Sequence, residues 1–479
     1  MTLPAHKTKI VCTIGPASRS ENLLERLMLH GMNVARLNFA HGTLQGHKED
    51  IQRIRTVAAR LERNCLIMAD LPGAKIRIGR LLKEPLLLEK GDEVVLTVKD
   101  EVGTATQIPV EYNRLPESVT SGYLIFLNDG FIQLRVEKVS GEDVFCRTVI
   151  GGPLLSHKGL SIPGVKIVAD AVSETDLDFV AFALKQGVDA FGVSFAETAE
   201  DILKVKRFAQ AKGQSAYVVA KIERAEAINN FDGILSAADA IMIARGDLGV
   251  QIPLQDVPAV QKKLIRKANL LGRPVITATQ MLVSMTENIR PTRAEVSDVA
   301  NAILDGTDAV MLSEETAIGR YPVEAVEMIG KIAISTEREK KTIRALADLP
   351  AYFRAAAGSG NAAVEDVVTL NAVESAGALN VRYILTRTQG RTGPCLISRF
   401  KPDCWILAHG GDEKTNNFLA LSYGVQPVNL DGEKEDLAYK AVRWLVAAGM
   451  VEKDESLIWV EDESPDDTLE SLSLKIIKA

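Results

Sequence analysis

The sequence predicts an α/β protein: a (β/α)8 barrel of the TIM type, a small β domain inserted into it, and a separate α/β unit after it. Three observations carry that prediction. Short, nearly all-apolar runs alternate with amphipathic helical stretches from Lys9 to about Lys341, as in a parallel sheet covered on both faces. Between about Pro72 and Pro163 the period changes to short alternating runs, a β signature. The chain has 479 residues, more than one simple core holds, so about three domains are expected. The expected boundaries are 1–71 with 166–343 for the barrel, 72–165 for the insertion and 344–479 for the last unit.

In chain order, K-I-V-C-T-I-G from Lys9 is a buried strand, and Ser18 with Glu21 can form a capping box for the helix that follows. N-V-A-R-L-N-F is the second strand, 46–63 a long charged helix, and C-L-I-M-A-D a third strand ending at Asp70. In the insertion, Gly91-Asp92, Asn128-Asp129-Gly130 and Gly141-Glu142 supply turn chemistry between strands. Five more apolar strands follow: A-F-G-V-S-F, Y-V-V-A-K-I-E, I-M-I-A-R-G, P-V-I-T-A-T-Q and A-V-M-L-S-E-E. With the first three they make about eight, the number of a closed barrel. An open doubly wound sheet is the alternative, but no G-x-G-x-x-G opens the first helix. A-A-A-G-S-G-N (355–361) reads as a linker to the last unit, whose strands include Y-I-L-T-R-T, W-I-L-A-H and L-I-W-V.

Composition narrows the function. Aromatic residues are 5% of the chain and the net charge is -7, so neither base-stacking platforms nor a general affinity for nucleic acid is expected. The five cysteines (Cys12, Cys65, Cys146, Cys395, Cys404) are scattered, and no apolar run is long enough to span a bilayer. With no leader-like start, a cytoplasmic protein with reduced thiols is expected.

Functional groups of such a barrel gather at the C-terminal ends of its strands. Polar residues recur there: Arg36 and Asn38, Asp70, Ser194, Lys221 and Glu223, Asp247, Thr279, and 313–315. Lys221 and Glu223 are two apart and share a face of their strand. Glu223 and Asp247 suit a hard cation beside an anionic substrate, magnesium being the natural choice. The same carboxylates could instead pair with Lys221, Arg224 or Arg245, and spacing does not separate the two. Gly246 lets the backbone approach an anion closely, or simply makes a βα turn. Thr279 is either a hydroxyl at the mouth or a hydrogen-bonded core residue. The six histidines show no zinc spacing.

K-T-K-I-V-C-T-I-G-P-A-S, N-V-A-R-L-N-F-A-H-G, A-K-I-E-R, M-I-A-R-G-D-L-G-V, V-I-T-A-T-Q-M-L and M-L-S-E-E-T-A-I-G-R-Y-P occur in that order. Across essentially its whole length the chain resembles the pyruvate kinase family. The resemblance implies a catalytic barrel, an inserted small β-barrel acting as a lid, a C-terminal α/β domain and a homotetramer. It implies phosphoryl transfer from phosphoenolpyruvate to ADP, giving pyruvate and ATP. Glu223 and Asp247 match its magnesium ligands, a role manganese could also fill. Lys221 matches the lysine beside the transferred phosphoryl group. Gly246, Asp247 and Thr279 match the carboxylate site, Arg36 and Arg77 the arginines at the phosphates, and Lys158 a lid lysine at the nucleotide. The proton donor to the enolate carbon is left open; a water relay near Thr279 is one route.

Two stretches depart from the family pattern. Where many members hold potassium, N-F-S-H-G and D-T-K-G-P-E-I-R are usual; this chain has N-F-A-H-G and D-L-P-G-A-K-I-R. Asn38 and Asp70 remain, Ala40 and Leu71 lose oxygen ligands, and Lys75 replaces a glutamate. The expectation is that the Lys75 ammonium stands in for potassium near Asp70, so that potassium is not required; a solvated hinge lysine is the alternative. At the C-terminal end, T-R-T-Q-G-R-T-G resembles an effector phosphate loop, with Thr386, Arg387, Thr388, Gly390, Arg391 and Thr392 as candidates. The facing E-D-E-S-P-D-D-T-L-E would repel a bisphosphate, so strong activation by fructose bisphosphate is not expected, while a monophosphate effector is left open. Two other classes compete: a carbon–carbon lyase on the same barrel, and a non-catalytic relative.

Overall fold

A computed structural model describes residues 3–165, 170–339, 348–359, 362–387, 390–428, 437–462 and 472–479. Strands Lys9–Thr13, Met32–Asn38, Leu66–Asp70, Ala190–Val193, Tyr217–Ile222, Ala240–Ala244, Val275–Ala278 and Ala309–Leu312 pair in parallel in chain order, and the eighth closes on the first. This is the predicted barrel. Its strands are apolar throughout because both faces are buried: Ile10 and Cys12 pack outward on the helices, while Val11, Val34, Met68 and Met242 fill the interior. The first helix, Glu21–Leu29, is capped two residues beyond the expected Ser18. Ser20 caps it, its hydroxyl accepting from Leu23 N at 3.4 Å. Ser18 instead accepts from Gly15 N, closing the preceding turn.

The inserted segment forms a six-stranded sheet and a two-stranded ladder around one apolar core that includes Ile78, Leu96, Ile125 and Val136. Isolated bridges join Arg77 to Gly159 and Ile78 to Val110, so the entering segment runs along the segment that leaves.

The third domain carries a five-stranded sheet: Val425–Pro427, Trp405–His409, Tyr383–Arg387 and Ser456–Asp462 in parallel, with Leu472–Lys478 antiparallel at the edge. The expected linker at 355–361 is partly helix, since Asp348–Gly358 takes in the alanines; Ala is the strongest helix former, and the run continues the preceding pattern. Residues 360 and 361 and two of the three expected boundaries, 165/166 and 343/344, touch or fall in stretches outside the described residues.

This domain closes the N-terminal end of the barrel. Phe418 and Leu421 belong to the same apolar cluster as the barrel interior, and Phe418 stacks on Tyr217 at 4.2 Å. Lys401 Nζ meets Asp308 Oδ1 at 2.7 Å with both side chains almost fully buried, and Asp308 also accepts from Tyr423 N and Val275 N. All five cysteines are buried and free, and no helix among the described residues is long and apolar enough to cross a membrane.

Breaking a buried pair leaves an uncompensated charge, whereas replacing both partners does not. Lys401→Met alone is expected to destabilise the folded chain by about 3–5 kcal/mol, and Lys401→Met with Asp308→Asn by clearly less. Denaturant midpoints of the two variants check this.

Candidate active site

At the C-terminal end of the barrel, side chains from adjacent strands converge on a cleft of about 200 Å³ roofed by the inserted domain. It is lined by Arg36, Asn38, Asp70, Lys75, Arg77, Lys158, Lys221, Glu223 and Asp247, among others. A larger cleft, about 970 Å³, lies at the opposite end between Arg63, Asn64 and the third domain's Gly411 and Trp444, and holds none of the strand-end groups. The smaller cleft is the candidate site, because barrel function gathers at that mouth.

Register explains the convergence. Asn38 lies opposite Asp70 on the next strand, and Asp70 opposite Gly192. A Cβ on Gly192 would sit 2.8 Å from Asp70 Oδ1, so only glycine leaves room for that carboxylate. Asp70 Oδ2 accepts from Arg36 Nε at 2.7 Å and also from Arg36 Nη2, while Arg36 Nη1 donates to Thr13 Oγ1 at 2.9 Å. Lys221 Nζ donates to Ser194 Oγ at 2.6 Å and lies 3.0 Å from Glu223 Oε1 and 3.2 Å from Asp70 Oδ1. The Ser194 hydroxyl in turn donates a hydrogen bond to Leu71 O at 2.7 Å. Glu223 Oε2 accepts from the Phe195 N–H at 2.8 Å, which the left-handed backbone of Phe195 (φ 54°) turns toward it.

Charge states follow from these contacts. Burial works to raise the Asp70 carboxyl, but Arg36 and then Lys221 outweigh it and hold its pKa below the ordinary value. Burial works to discharge Lys221, and Asp70 and Glu223 more than restore it, so it is held cationic. Glu223 is pushed up, by burial first, with Lys221 opposing and Asp247 adding to the rise. His41 is pushed down by burial and then by Arg77 and Arg36.

Lys75 lines the same cleft as Asp70, but its ion pairs are with other carboxylates. Its Nζ donates to Asp247 Oδ1 at 2.8 Å and lies 3.6 Å from Asp129 Oδ1 of the inserted domain; among the described residues no ion pair joins it to Asp70. The reason is steric. Its stem crosses Gly159, where a Cβ would come within 2.6 Å of Lys75 Cε, and that path delivers the ammonium to Asp247. Burial lowers its pKa and Asp247 and Asp129 outweigh that, leaving it raised.

Both carboxylates take lysine ion pairs, Glu223 with Lys221 and Asp247 with Lys75, while Arg224 pairs with Glu197 and Arg245 with Asp298. Glu223 and Asp247 share no guanidinium, and Asp247 adds to the rise that burial causes at Glu223. Two hard carboxylates, one buried and one part-exposed, suit magnesium, which keeps its waters and takes substrate oxygens for the rest. Gly246 is the second residue of a short helix, Arg245–Gln251, and its N–H donates to Thr279 Oγ1 at 2.8 Å, while that hydroxyl donates to Ala278 O at 2.6 Å. Thr279 has φ 73°, rare for a β-branched residue, and Arg245 Nη2 pins its carbonyl at 2.8 Å. Arg77 donates to His157 O at 2.9 Å and, with Lys158, stands on the inserted domain's side of the cleft. Glu315, the last of the strand-end groups, is structural: it accepts from Leu282 N and Ser313 N.

The effector-loop residues are engaged elsewhere. Arg387 pairs with Glu461 at 3.3 Å, and Arg391 turns into the barrel to meet Asp239 at 2.8 Å. Thr386 is buried; Gly390 and Thr392 lie at the start of helix Thr392–Ser398; Thr388 and the acidic stretch 463–470 lie outside the described residues. Sequence reasoning missed Thr13, Asp129 and Gly159. Only the Asn128-Asp129-Gly130 turn left any signal, and that signal was conformational.

Comparisons with known proteins agree with this geometry. The family model for the pyruvate kinase barrel domain matches residues 5–326, and that for the pyruvate kinase alpha/beta domain matches 366–474. A pyruvate kinase from Thermococcus litoralis is 47% identical over the full length of both chains. One from Staphylococcus epidermidis is 41% identical over 94% of this chain and 77% of its own. The crystal structure of a pyruvate kinase from Cryptosporidium parvum superposes with a TM-score of 0.88 at 33% identity, covering 99% of this chain and 96% of that one.

A left-handed residue other than glycine stores strain of order 1–3 kcal/mol. Thr279→Gly is therefore expected to be more stable than Thr279→Ala by about 1 kcal/mol, the reverse of the usual order, since both lose the hydroxyl and only glycine sheds the strain. Thermal unfolding of the pair tests it.

Proposed function

The chain belongs to the pyruvate kinase family and is a phosphotransferase, and from that premise we propose how its cleft moves a phosphoryl group from phosphoenolpyruvate to ADP. The observation that carries the reading is the fixed, charged Lys221 between Asp70 and Glu223 at the floor of a cleft whose walls hold Arg36, Arg77 and Lys158. Phosphoryl transfer needs cations and alignment more than a nucleophilic side chain. Lys221 faces the transferring phosphoryl group and offsets charge there and on the enolate oxygen as it forms. Arg36, braced by Asp70 and Thr13, holds phosphate from the barrel side. Arg77 and Lys158 hold the nucleotide phosphates from the lid side.

Glu223 and Asp247 would hold magnesium, with manganese an alternative; when bound, the ion draws charge from the phosphoryl and enolate oxygens. Thr279 exchanges its contact with the Gly246 N–H for the substrate carboxylate, which the Gly246 and Asp247 backbone then receives. The lid excludes water from the transferring group. A homotetramer in the cytoplasm, acting at the last step of glycolysis, is the family's arrangement and the one proposed here.

Potassium is proposed not to be required. Ala40 and Leu71 offer no side-chain oxygen, Asn38 Oδ1 already accepts from Ala40 N at 3.2 Å, Leu71 O is taken by Ser194, and Lys75 brings an ammonium into the same cleft. One observation favours the second reading, in which potassium keeps a role: Asp70 Oδ1 is buried and receives no hydrogen bond, its charge met by Lys221 only as an ion pair. The third domain's loop is proposed to give no strong response to fructose bisphosphate, because Arg387 and Arg391 are already committed to carboxylates.

A coupled assay is expected to show ATP formed from phosphoenolpyruvate and ADP, lost on chelation of divalent cation and little changed between tetramethylammonium and potassium buffers. Large activation by potassium would decide for the second reading, and no ATP at all would sink the function. Lys221→Met is expected to lower kcat by at least about 10²-fold, the scale of one transition-state charge contact.

A further inference from the structure

Glu223 stands just beyond the strand Tyr217–Ile222, where the paired register has ended, so side-chain contacts and not the ladder set the direction of its carboxylate. Each of its oxygens is held. Oε1 lies 3.0 Å from Lys221 Nζ, and Oε2 accepts from the Phe195 N–H at 2.8 Å. The second contact exists only while Phe195 keeps its left-handed backbone, φ 54°, which a bulky side chain rarely adopts.

Arg224, the residue after Glu223, keeps Phe195 in that conformation. Its guanidinium lies over the Phe195 ring, 5.1 Å from the centroid and within cation–π range. Its Nη1 also donates to Glu197 Oε1, farther along the loop that carries Phe195. The Arg224 side chain is 7% exposed and that of Glu197 19%, so water and salt screen the pair little. Glu197 is anchored at both ends of its own backbone. Its N–H donates to Asp201 Oδ2 at 2.9 Å, and its carbonyl accepts from Asn230 Nδ2 at 2.9 Å. The contacts close a ring: from Glu223 along the chain to Arg224, through the stack to Phe195, and through the N–H back to Glu223.

On the reading that Glu223 is a ligand of the divalent cation, we propose that Arg224 and Glu197 are positioning residues for that metal site. Neither lines the cleft, so they act through Phe195. Its N–H takes one lone pair of Oε2 and leaves the carboxylate turned to the cleft it shares with Asp247. Without the clamp, Phe195 relaxes out of the left-handed region, its N–H leaves Oε2, and Lys221 alone directs Glu223. The sign of the effect separates this role from simple charge. A guanidinium repels a nearby dication, so by charge alone its removal would tighten metal binding. Positioning requires the opposite.

The test is Mn2+ binding to the full chain, followed by electron paramagnetic resonance without substrates, beside thermal unfolding. Arg224→Met is expected to weaken Mn2+ binding by about 10-fold, the lower end of what contacts behind a metal ligand carry. Arg224→Met with Glu197→Gln leaves no unpaired carboxylate and keeps the net charge of the pair, which guards against misfolding, and it is expected to show the same loss. Mn2+ held by either variant as tightly as by the parent chain, or more tightly, overturns the proposal, since a pair that serves only stability lowers the unfolding midpoint and leaves the affinity alone. Glu223→Gln, expected to weaken Mn2+ binding more than either, separates the two failures: binding unaffected by it overturns the metal assignment itself, and the proposal with it.

Discussion

The cleft depends on keeping one buried ammonium charged. A carboxylate about 4 Å away contributes on the order of 4 kcal/mol at an effective dielectric of ~20, while burying an ion costs several kcal/mol after relaxation. One carboxylate would only balance that cost for Lys221. Two, Asp70 and Glu223, decide the matter, and the Ser194 hydroxyl takes a further proton of the ammonium. The barrel can supply both carboxylates because parallel strands end together: Asp70 closes the third strand, Ser194 follows the fourth, and Lys221 and Glu223 stand on and just beyond the end of the fifth. Gly192 is the small residue that makes room for Asp70, since a Cβ there would press on Asp70 Oδ1 at 2.8 Å.

The same accounting explains how a chain of net charge -7 can take polyanionic substrates. The cleft lining holds Arg36, Lys75, Arg77, Lys158 and Lys221 against Asp70, Asp129, Glu223 and Asp247, an excess of one cation in a chain that is acidic overall. Most of that positive charge is fixed by carboxylates already present, so little rearrangement is needed when phosphate arrives. Preorganisation of this kind is where electrostatic stabilisation has its largest effect.

What was legible in the sequence was what repeats locally. Strand length, apolar continuity and the change of period at the insertion gave the barrel and the intruding β domain, and the two-residue spacing put Lys221 and Glu223 on one face. Contacts set by tertiary path were not legible. Lys75 was expected near Asp70; it lines the same cleft, and the course of its stem over Gly159 pairs it with Asp247. Arg391 looked like a phosphate ligand in a loop of small residues, yet the docking of the third domain under the barrel gives it Asp239. Ser18 and Ser20 both sit before a helix, and only the backbone trace shows which one caps it. In each case residue type was read correctly and direction was not, because direction is fixed by residues far away in the chain.

The position of Lys75 also changes what a tethered cation can mean. A free monovalent ion occupies a pocket according to its concentration and leaves no mark on the chain when it goes. An ammonium on a four-carbon stem cannot leave, and its range is set by where the stem is anchored. Here the anchor lies at the start of the lid, beside Gly159, which also holds the hairpin of Asp129. An ammonium tethered there makes the electrostatics of the cleft depend on where the lid segment lies, a link that a diffusible ion does not provide.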